Sequence, residues 1–131
     1  MKLLADTSII IALIASDEEK SIINQIINDC ELFCPASIHA EVGNAISAMF
    51  KRGRINLLQS LEMLDNFEQL EFKVINFNLR RAIEISYLHK VYAYDAYVLE
   101  CAKSNQLPLI TLDRQMQEKA KLLNIQIIEV W

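Results

Sequence analysis

The stretch Leu3-Leu4-Ala5-Asp6-Thr7-Ser8-Ile9-Ile10-Ile11 decides how the rest of the chain is read. A short apolar run ends at Ala5, an acid and two hydroxyls follow, and a second apolar run starts at Ile9. That pattern predicts a buried strand over 2–5 and a turn into a short helix from about Ser8. Near the other end Leu109-Ile110-Thr111-Leu112 runs into Asp113 and repeats the arrangement. In both places an acid stands where a buried strand stops.

Between these points short apolar runs alternate with segments of helical period. A second helix is expected over 17–29, and a strand over 31–34 stopped by Pro35. From 36 to 52 the apolar positions Ile38, Val42, Ala45, Ile46 and Met49 recur at helical spacing, and Gly53 supplies the stop. An amphipathic helix is expected over 55–70, with Leu57, Leu58, Leu61, Leu64 and Phe67 on one side. A third strand over 71–75, helices over 79–90, 94–105 and 113–123, and strands over 108–111 and 126–130 complete the pattern. Strands alternating with helices predict an α/β protein with a mainly parallel central sheet.

The 131 residues are expected to form one domain, 1–131, large enough to need no staple. More than half the residues are apolar, and glycine and proline number two each, which excludes a disordered tail and a loop-rich disulfide scaffold. The net charge of −4 gives the molecule no long-range attraction for nucleic acid, so any such binding must be local. Cys30, Cys34 and Cys101 form no C-x-x-C pair and are expected to be reduced core thiols of a cytoplasmic protein. The apolar stretch 3–15 is interrupted by Asp6, Thr7 and Ser8 and falls short of the roughly 20 residues of a membrane span, so no membrane association is expected.

Most of the 17 acids read as ordinary solvated charges, but four do not. Asp6 and Asp113 follow strands, and right-handed crossovers bring the carboxyl ends of parallel strands to one edge, where ligands bind in open α/β sheets. Glu41 shares a helix face with Ile38 and Ala45 and should point inward or to that crevice. Asp95 opens a helix leading into the strand that delivers Asp113, so its N-terminus is expected away from the carboxyl edge unless the approach is diagonal. Spacing alone does not place it. Each acid also has a local explanation: Asp6 and Asp113 as helix caps, Asp95 as a dipole partner, Glu41 as half of a salt bridge with Lys51 or another base. Without these four, the acids equal the 13 bases, so the quartet accounts for the whole net charge. Carboxylates gathered without a cation would raise one another's pKa values, and an all-oxygen set suits Mg²⁺ or Mn²⁺ rather than zinc.

Four pieces, in order, resemble a known family: Leu4-Ala5-Asp6-Thr7-Ser8, Ala40-Glu41-Val42-Gly43-Asn44-Ala45, Tyr94-Asp95-Ala96-Tyr97 and Leu109-Ile110-Thr111-Leu112-Asp113. The sequence resembles the PIN-domain nucleases, of the small kind that forms the toxin half of VapBC toxin–antitoxin pairs. The resemblance implies a Rossmann-like three-layer α/β/α sandwich. It also implies that Asp6, Glu41, Asp95 and Asp113 surround one or two Mg²⁺ or Mn²⁺ ions, with Asp6 and Asp95 the firmest ligands and all four catalytic. Thr7 or Ser8 would hydrogen-bond the pocket, Asn44 would sit one turn beyond Glu41, and Thr111 would orient Asp113 or a water. The implied activity is metal-dependent phosphodiester hydrolysis of single-stranded or looped RNA. The implied partners are RNA, a cognate antitoxin and a second copy of the chain.

Other features are secondary. Arg114 is the basic residue nearest the expected pocket and a candidate phosphate contact, while Lys51, Arg52 and Arg54 read equally well as a solvated helix end. Tyr92, Tyr94 and Tyr97 are candidates for base stacking, with core packing expected for at least one. His39 and His89 read as structural, and no Ser-His-Asp arrangement exists. The helices between 36 and 70 carry more apolar surface than a small sheet needs, which predicts an interface there. A haloacid-dehalogenase-like phosphatase would need an acid at position 8, where Ser8 stands, and a receiver domain would need adjacent acids after the first strand. A PIN nuclease of RNA processing and a catalytically silent RNA-binding or scaffold module remain the alternatives.

Overall fold

A computed structural model describes residues 1–130. Five strands form one sheet in the order β3-β2-β1-β4-β5: β1 (Lys2–Ala5), β2 (Glu31–Pro35), β3 (Lys73–Ile75), β4 (Leu109–Ile110) and β5 (Ile127–Ile128). Every neighbouring pair is parallel, so the sheet is wholly rather than mainly parallel. Seven helices connect the strands: α1 (Thr7–Ile14), α2 (Lys20–Ile27), α3 (Ile38–Lys51), α4 (Leu57–Gln69), α5 (Leu79–His89), α6 (Ala93–Asn105) and α7 (Arg114–Leu122). The elements fall where the apolar patterning puts them, with ends shifted by at most three residues in either direction. Pro35 is the last residue of β2 rather than a break before its end, and Ala36 N–H donates beyond it to Ile75 O.

Two cores flank the sheet, and β1 builds both because successive side chains of a strand point to opposite faces. Leu3 and Ala5 pack with Ile9, Ile10 and Leu13 of α1, Ile23 of α2, Ile38 and Val42 of α3 and Phe67 of α4. Leu4 packs on the other side with Val98, Leu99 and Ala102 of α6 and Met116 and Ala120 of α7. Leu3 and Leu4 are fully buried, each contributing about 2 kcal/mol through the water it sheds. The result is the three-layer α/β/α arrangement implied by the resemblance.

Local signals set the helix boundaries. Asp6 and Asp113 cap α1 and α7, so the local explanation of both acids is true as far as it goes. Asn56 and Gln59 form a reciprocal capping box at α4, and Gly53 turns the chain after α3 with φ of 66°. Cys30, Cys34 and Cys101 are free thiols, and burial pushes the Cys101 thiol up to about 12 and that of Cys34 higher still, which makes both inert at neutral pH. Among the described residues no helix is long and apolar enough to cross a membrane.

Strand order reverses between β1 and β4, both of which run the same way. Outside their carboxyl ends lies the crevice in which doubly wound sheets bind ligands. The register Ala5↔Ile110 brings Asp6 and Thr111 side by side at that point.

Candidate active site

Asp6 is buried at the head of α1, where its Oδ1 accepts from Ser8 Oγ at 2.6 Å, from Ser8 N–H at 3.1 Å and from Ile9 N–H at 3.4 Å. Its Oδ2 accepts from Thr111 Oγ1 at 2.5 Å. Thr111 is itself fully buried, and its Oγ1 accepts from Asp113 N–H at 3.1 Å. Ser8 Oγ accepts from Leu112 N–H at 2.9 Å. Two hydroxyls thus lace the end of β1 to the end of β4. Burial pushes the Asp6 carboxyl from 3.8 to about 6; the Ser8, Thr111 and Ile9 hydrogen bonds restrain that rise, and the Asp113 charge adds to it.

Glu41 is buried on the first turn of α3, in line with its position on the Ile38 face. Thr7 Oγ1 donates to its Oε1 at 2.9 Å and Ser37 Oγ to its Oε2 at 2.5 Å. Burial raises its pKa, those two hydroxyls oppose the rise, and the charges of Asp6 and Asp95 reinforce it. Glu41 is therefore held by hydroxyls and not by Lys51. Ser37 went unremarked in the sequence, although a residue four before an inward-facing acid lies on the same helix face.

Asp95 is half-buried on the first turn of α6, and its placement corrects the expectation from spacing. A helix that leads into a parallel strand runs back along it, so the N-terminus of α6 lies at the carboxyl edge of the sheet, not away from it. Asp95 and Asp113 line one cleft of about 360 Å³ with Lys90, Tyr92, Gln115 and Lys119. Burial raises the Asp95 pKa, and the Asp113 charge raises it further. Asp113 is exposed and spends its Oδ1 on the cap of α7, accepting from Gln115 N–H at 2.9 Å and Met116 N–H at 3.3 Å.

The four acids form a closed circuit of repulsion: Asp113 acts on Asp6 and Asp95, while Asp6 and Asp95 act on Glu41. The N-termini of α1 and α7 offset part of that repulsion with their positive dipole ends. Among the described residues no three His, Cys, Asp or Glu side chains stand close enough to hold a metal ion as they are. The donor chemistry nonetheless fits a hard divalent cation, since every candidate is a carboxylate or hydroxyl oxygen and the charged forms of Asp6, Glu41 and Asp95 are disfavoured without one.

The remaining candidates are more scattered. Thr7 and Ser8 hydrogen-bond Glu41 and Asp6, and Thr111 serves Asp6 and the Asp113 backbone together. Asn44 is exposed on α3, and Arg114 is exposed beside Asp113. Arg54 lines a different cavity, with Ile14, Met63 and Asn66. His39 packs edge-on against Phe67 with ring centroids 5.3 Å apart. Tyr97 stacks on Phe77 at 4.1 Å, whereas Tyr92 is 88% exposed at the cleft. Glu100, unnoticed within the apolar run of α6, is buried and accepts from Asn78 N–H at 2.9 Å, pinning the start of α5.

The parallel sheet ordered 3-2-1-4-5, with acids gathered at its switch point, defines a Rossmann-like class of α/β proteins that use the carboxyl edge of the sheet as a site. The family model described as the PIN domain matches residues 3–122, and the chain belongs to that family. Comparison with curated proteins finds no significant match. Among solved structures it is similar to FitAcB from Neisseria gonorrhoeae, at 16% identity and a TM-score of 0.71 over 100% of this chain and 99% of that one. VapBC2 from Rickettsia felis, bound to a DNA fragment from its promoter, gives 13% identity and a TM-score of 0.67 over 98% of each chain. A toxin–antitoxin complex from Klebsiella pneumoniae gives 22% and 0.55, over 85% of this chain and 86% of that one. At these identities the likeness is one of fold.

Proposed function

We propose that this PIN-domain protein is a metal-dependent endoribonuclease, cutting RNA phosphodiester bonds at the acidic edge, and the toxin of a cytoplasmic type II toxin–antitoxin pair. The observation that carries the reading is the closed circuit of mutually repelling carboxyls at the strand-order reversal. Asp6, Glu41, Asp95 and Asp113 would hold one or two Mg²⁺ or Mn²⁺ ions. A divalent cation at such a site neutralises phosphate charge and lowers the pKa of a bound water. Asp6 is fixed by Ser8 and Thr111, and Glu41 by Thr7 and Ser37, so both carboxylates enter the reaction already oriented. Asp95 and Asp113 open onto the cleft where a strand of RNA would lie.

Partnership follows from surfaces and from likeness. Leu57, Leu58 and Leu61 of α4 and Leu79, Ile83, Tyr87 and Leu88 of α5 are large exposed apolar residues, of the kind that mark interfaces. The α4 surface lies in the region where an interface was expected; the α5 surface adds a second. These faces suit a second copy of the chain and an antitoxin, and one of the similar folds occurs in a toxin–antitoxin complex.

The test is cleavage of RNA by the purified chain with and without Mg²⁺ or Mn²⁺. Activity should require the ion, and Asp6→Asn and Asp95→Asn, which keep side-chain shape, should lose it while melting as cooperatively as wild type. A wild-type rate in either variant would overturn the assignment. Growth arrest on expression, relieved by a small adjacent reading frame, separates a toxin from a nuclease of RNA processing.

A further inference from the structure

A net charge of −4, much of it concentrated at the acidic edge, leaves unexplained how a polyanionic substrate would stay there. The cleft holding Asp95 and Asp113 carries the opposite sign as well. Lys90, from the turn that ends α5, and Lys119, from the last turn of α7, both line it. Neither ammonium makes a hydrogen bond or ion pair among the described residues. Glu118 also lines the cleft, so its charge is mixed and the lysines are local counterweights rather than a basic patch.

Tyr92 lies between Lys90 and Asp95 in sequence, is almost wholly exposed and lines the same cleft. Its environment differs sharply from that of Tyr97, whose ring is spent on Phe77. An exposed aromatic face beside two unengaged ammonium groups is the combination that holds unpaired nucleic acid, with bases on the ring and phosphates on the cations. A paired duplex would leave the ring without a base face to meet.

The geometry points to this cleft as the path of single-stranded RNA away from the acids, with Lys90 and Lys119 each holding a phosphate and Tyr92 stacking an unpaired base. The inference rests on the nuclease reading, since Asp95 and Asp113 in the lining of the cleft give the strand its reason to be there.

The experiment follows a fluorescent single-stranded oligoribonucleotide by anisotropy, in EDTA and again with Ca²⁺ in place of Mg²⁺, across a series of salt concentrations. KM for cleavage with Mg²⁺ is measured in parallel. Each phosphate neutralised on a single strand contributes about 0.7 to the slope of log affinity against log salt, so Lys90→Gln/Lys119→Gln should lower the slope by about 1.4. Lys20→Gln/Lys51→Gln makes the same change of net charge outside the cleft and should leave the slope as it is. Tyr92→Ala should weaken binding about five- to a hundredfold at unchanged slope, and Tyr92→Phe should restore it. A wild type that neither binds the strand nor cuts it overturns the nuclease reading, and this path with it. A wild type that binds or cuts, matched by Lys90→Gln/Lys119→Gln in affinity, KM and salt slope, overturns the path alone.

Discussion

Thr111 Oγ1 donates to Asp6 Oδ2 across the boundary between β4 and β1, joining residues 105 apart in the chain. The bond exists because two parallel strands stop in register, Ala5 beside Ile110, and the next residue of each turns its oxygen toward the other. Asp6 thereby does two jobs with one carboxyl, capping α1 through Oδ1 and tying the sheet edge through Oδ2. The cap and the site are the same group seen from two sides.

Thr111→Val keeps the shape of the side chain and removes the donor, leaving a buried carboxylate oxygen without its hydrogen bond. The expected cost is about 1–3 kcal/mol, and Thr111→Ser should recover most of it. Urea unfolding at pH 7.5 in EDTA reads the difference. A valine variant as stable as wild type would mean that the hydroxyl contributes nothing to holding β4 against β1.

The raised pKa of Asp6 makes an unusual statement about acid stability. The folded carboxyl titrates at about 6 and the unfolded one near 3.8, so the folded state holds its proton more tightly. That contribution is fully present below pH 3.8 and is lost as pH rises through 6. At about 1.4 kcal/mol per pKa unit, the metal-free protein loses up to about 3 kcal/mol from this group between pH 4 and pH 7. Glu41 and Asp95, also raised, act in the same direction. Asp6→Asn removes the Asp6 part, so its stability relative to wild type should climb over that window and level off above pH 7. A constant difference between the two proteins from pH 4 to 7 would show that Asp6 titrates normally.

If the carboxylates are strained by their own charge at neutral pH, a cation should relieve them. Mg²⁺ or Mn²⁺ should raise the melting temperature at pH 7.5, with about 2.7 kcal/mol of stabilisation at a hundredfold excess over Kd. The rise should shrink at pH 5, where protons compete for the same oxygens, and should fall in Glu41→Gln. Differential scanning fluorimetry checks all three arms. A melting temperature indifferent to both ions at pH 7.5 would count against the oxygen cage.

What was legible in the sequence divides along physical lines. Asp6 and Asp113 could be found because a short apolar run that stops at an acid marks a strand end, and strand ends of a parallel sheet share an edge. Glu41 could be found because helical period fixes which face an acid occupies. Asp95 depended on the direction in which α6 crosses the sheet, and a helix must run antiparallel to the strand it feeds; overlooking that placed its N-terminus at the wrong edge. Ser37 was legible as well, one helical turn before Glu41, and was passed over. Lys90 and Lys119 escaped for another reason: they meet in a cleft made by segments far apart in sequence, which no local pattern encodes. The α5 surface escaped too, because its apolar stripe reads in isolation like any core-facing helix.

That stripe supports the last prediction. Leu79, Ile83 and Tyr87 recur every four residues on the outer face of α5, while Ala82 is buried and Ile85 packs on the α6 side. The helix is therefore apolar on two faces, one satisfied within the chain and one in water. Covering what each outer side chain leaves in water would contribute about 1–2 kcal/mol, and the same stripe on a second copy doubles the gain. Light scattering should accordingly find wild type as a dimer and Ile83→Glu as a monomer with an unchanged circular-dichroism melt, because position 83 makes no core contact to lose. Leu57→Glu/Leu58→Glu on α4 should leave the dimer intact and instead abolish capture of the product of the adjacent reading frame. A dimer that survives Ile83→Glu but falls apart in the α4 variant would exchange the two assignments, since the stripe on α5 would then be the face left for the antitoxin.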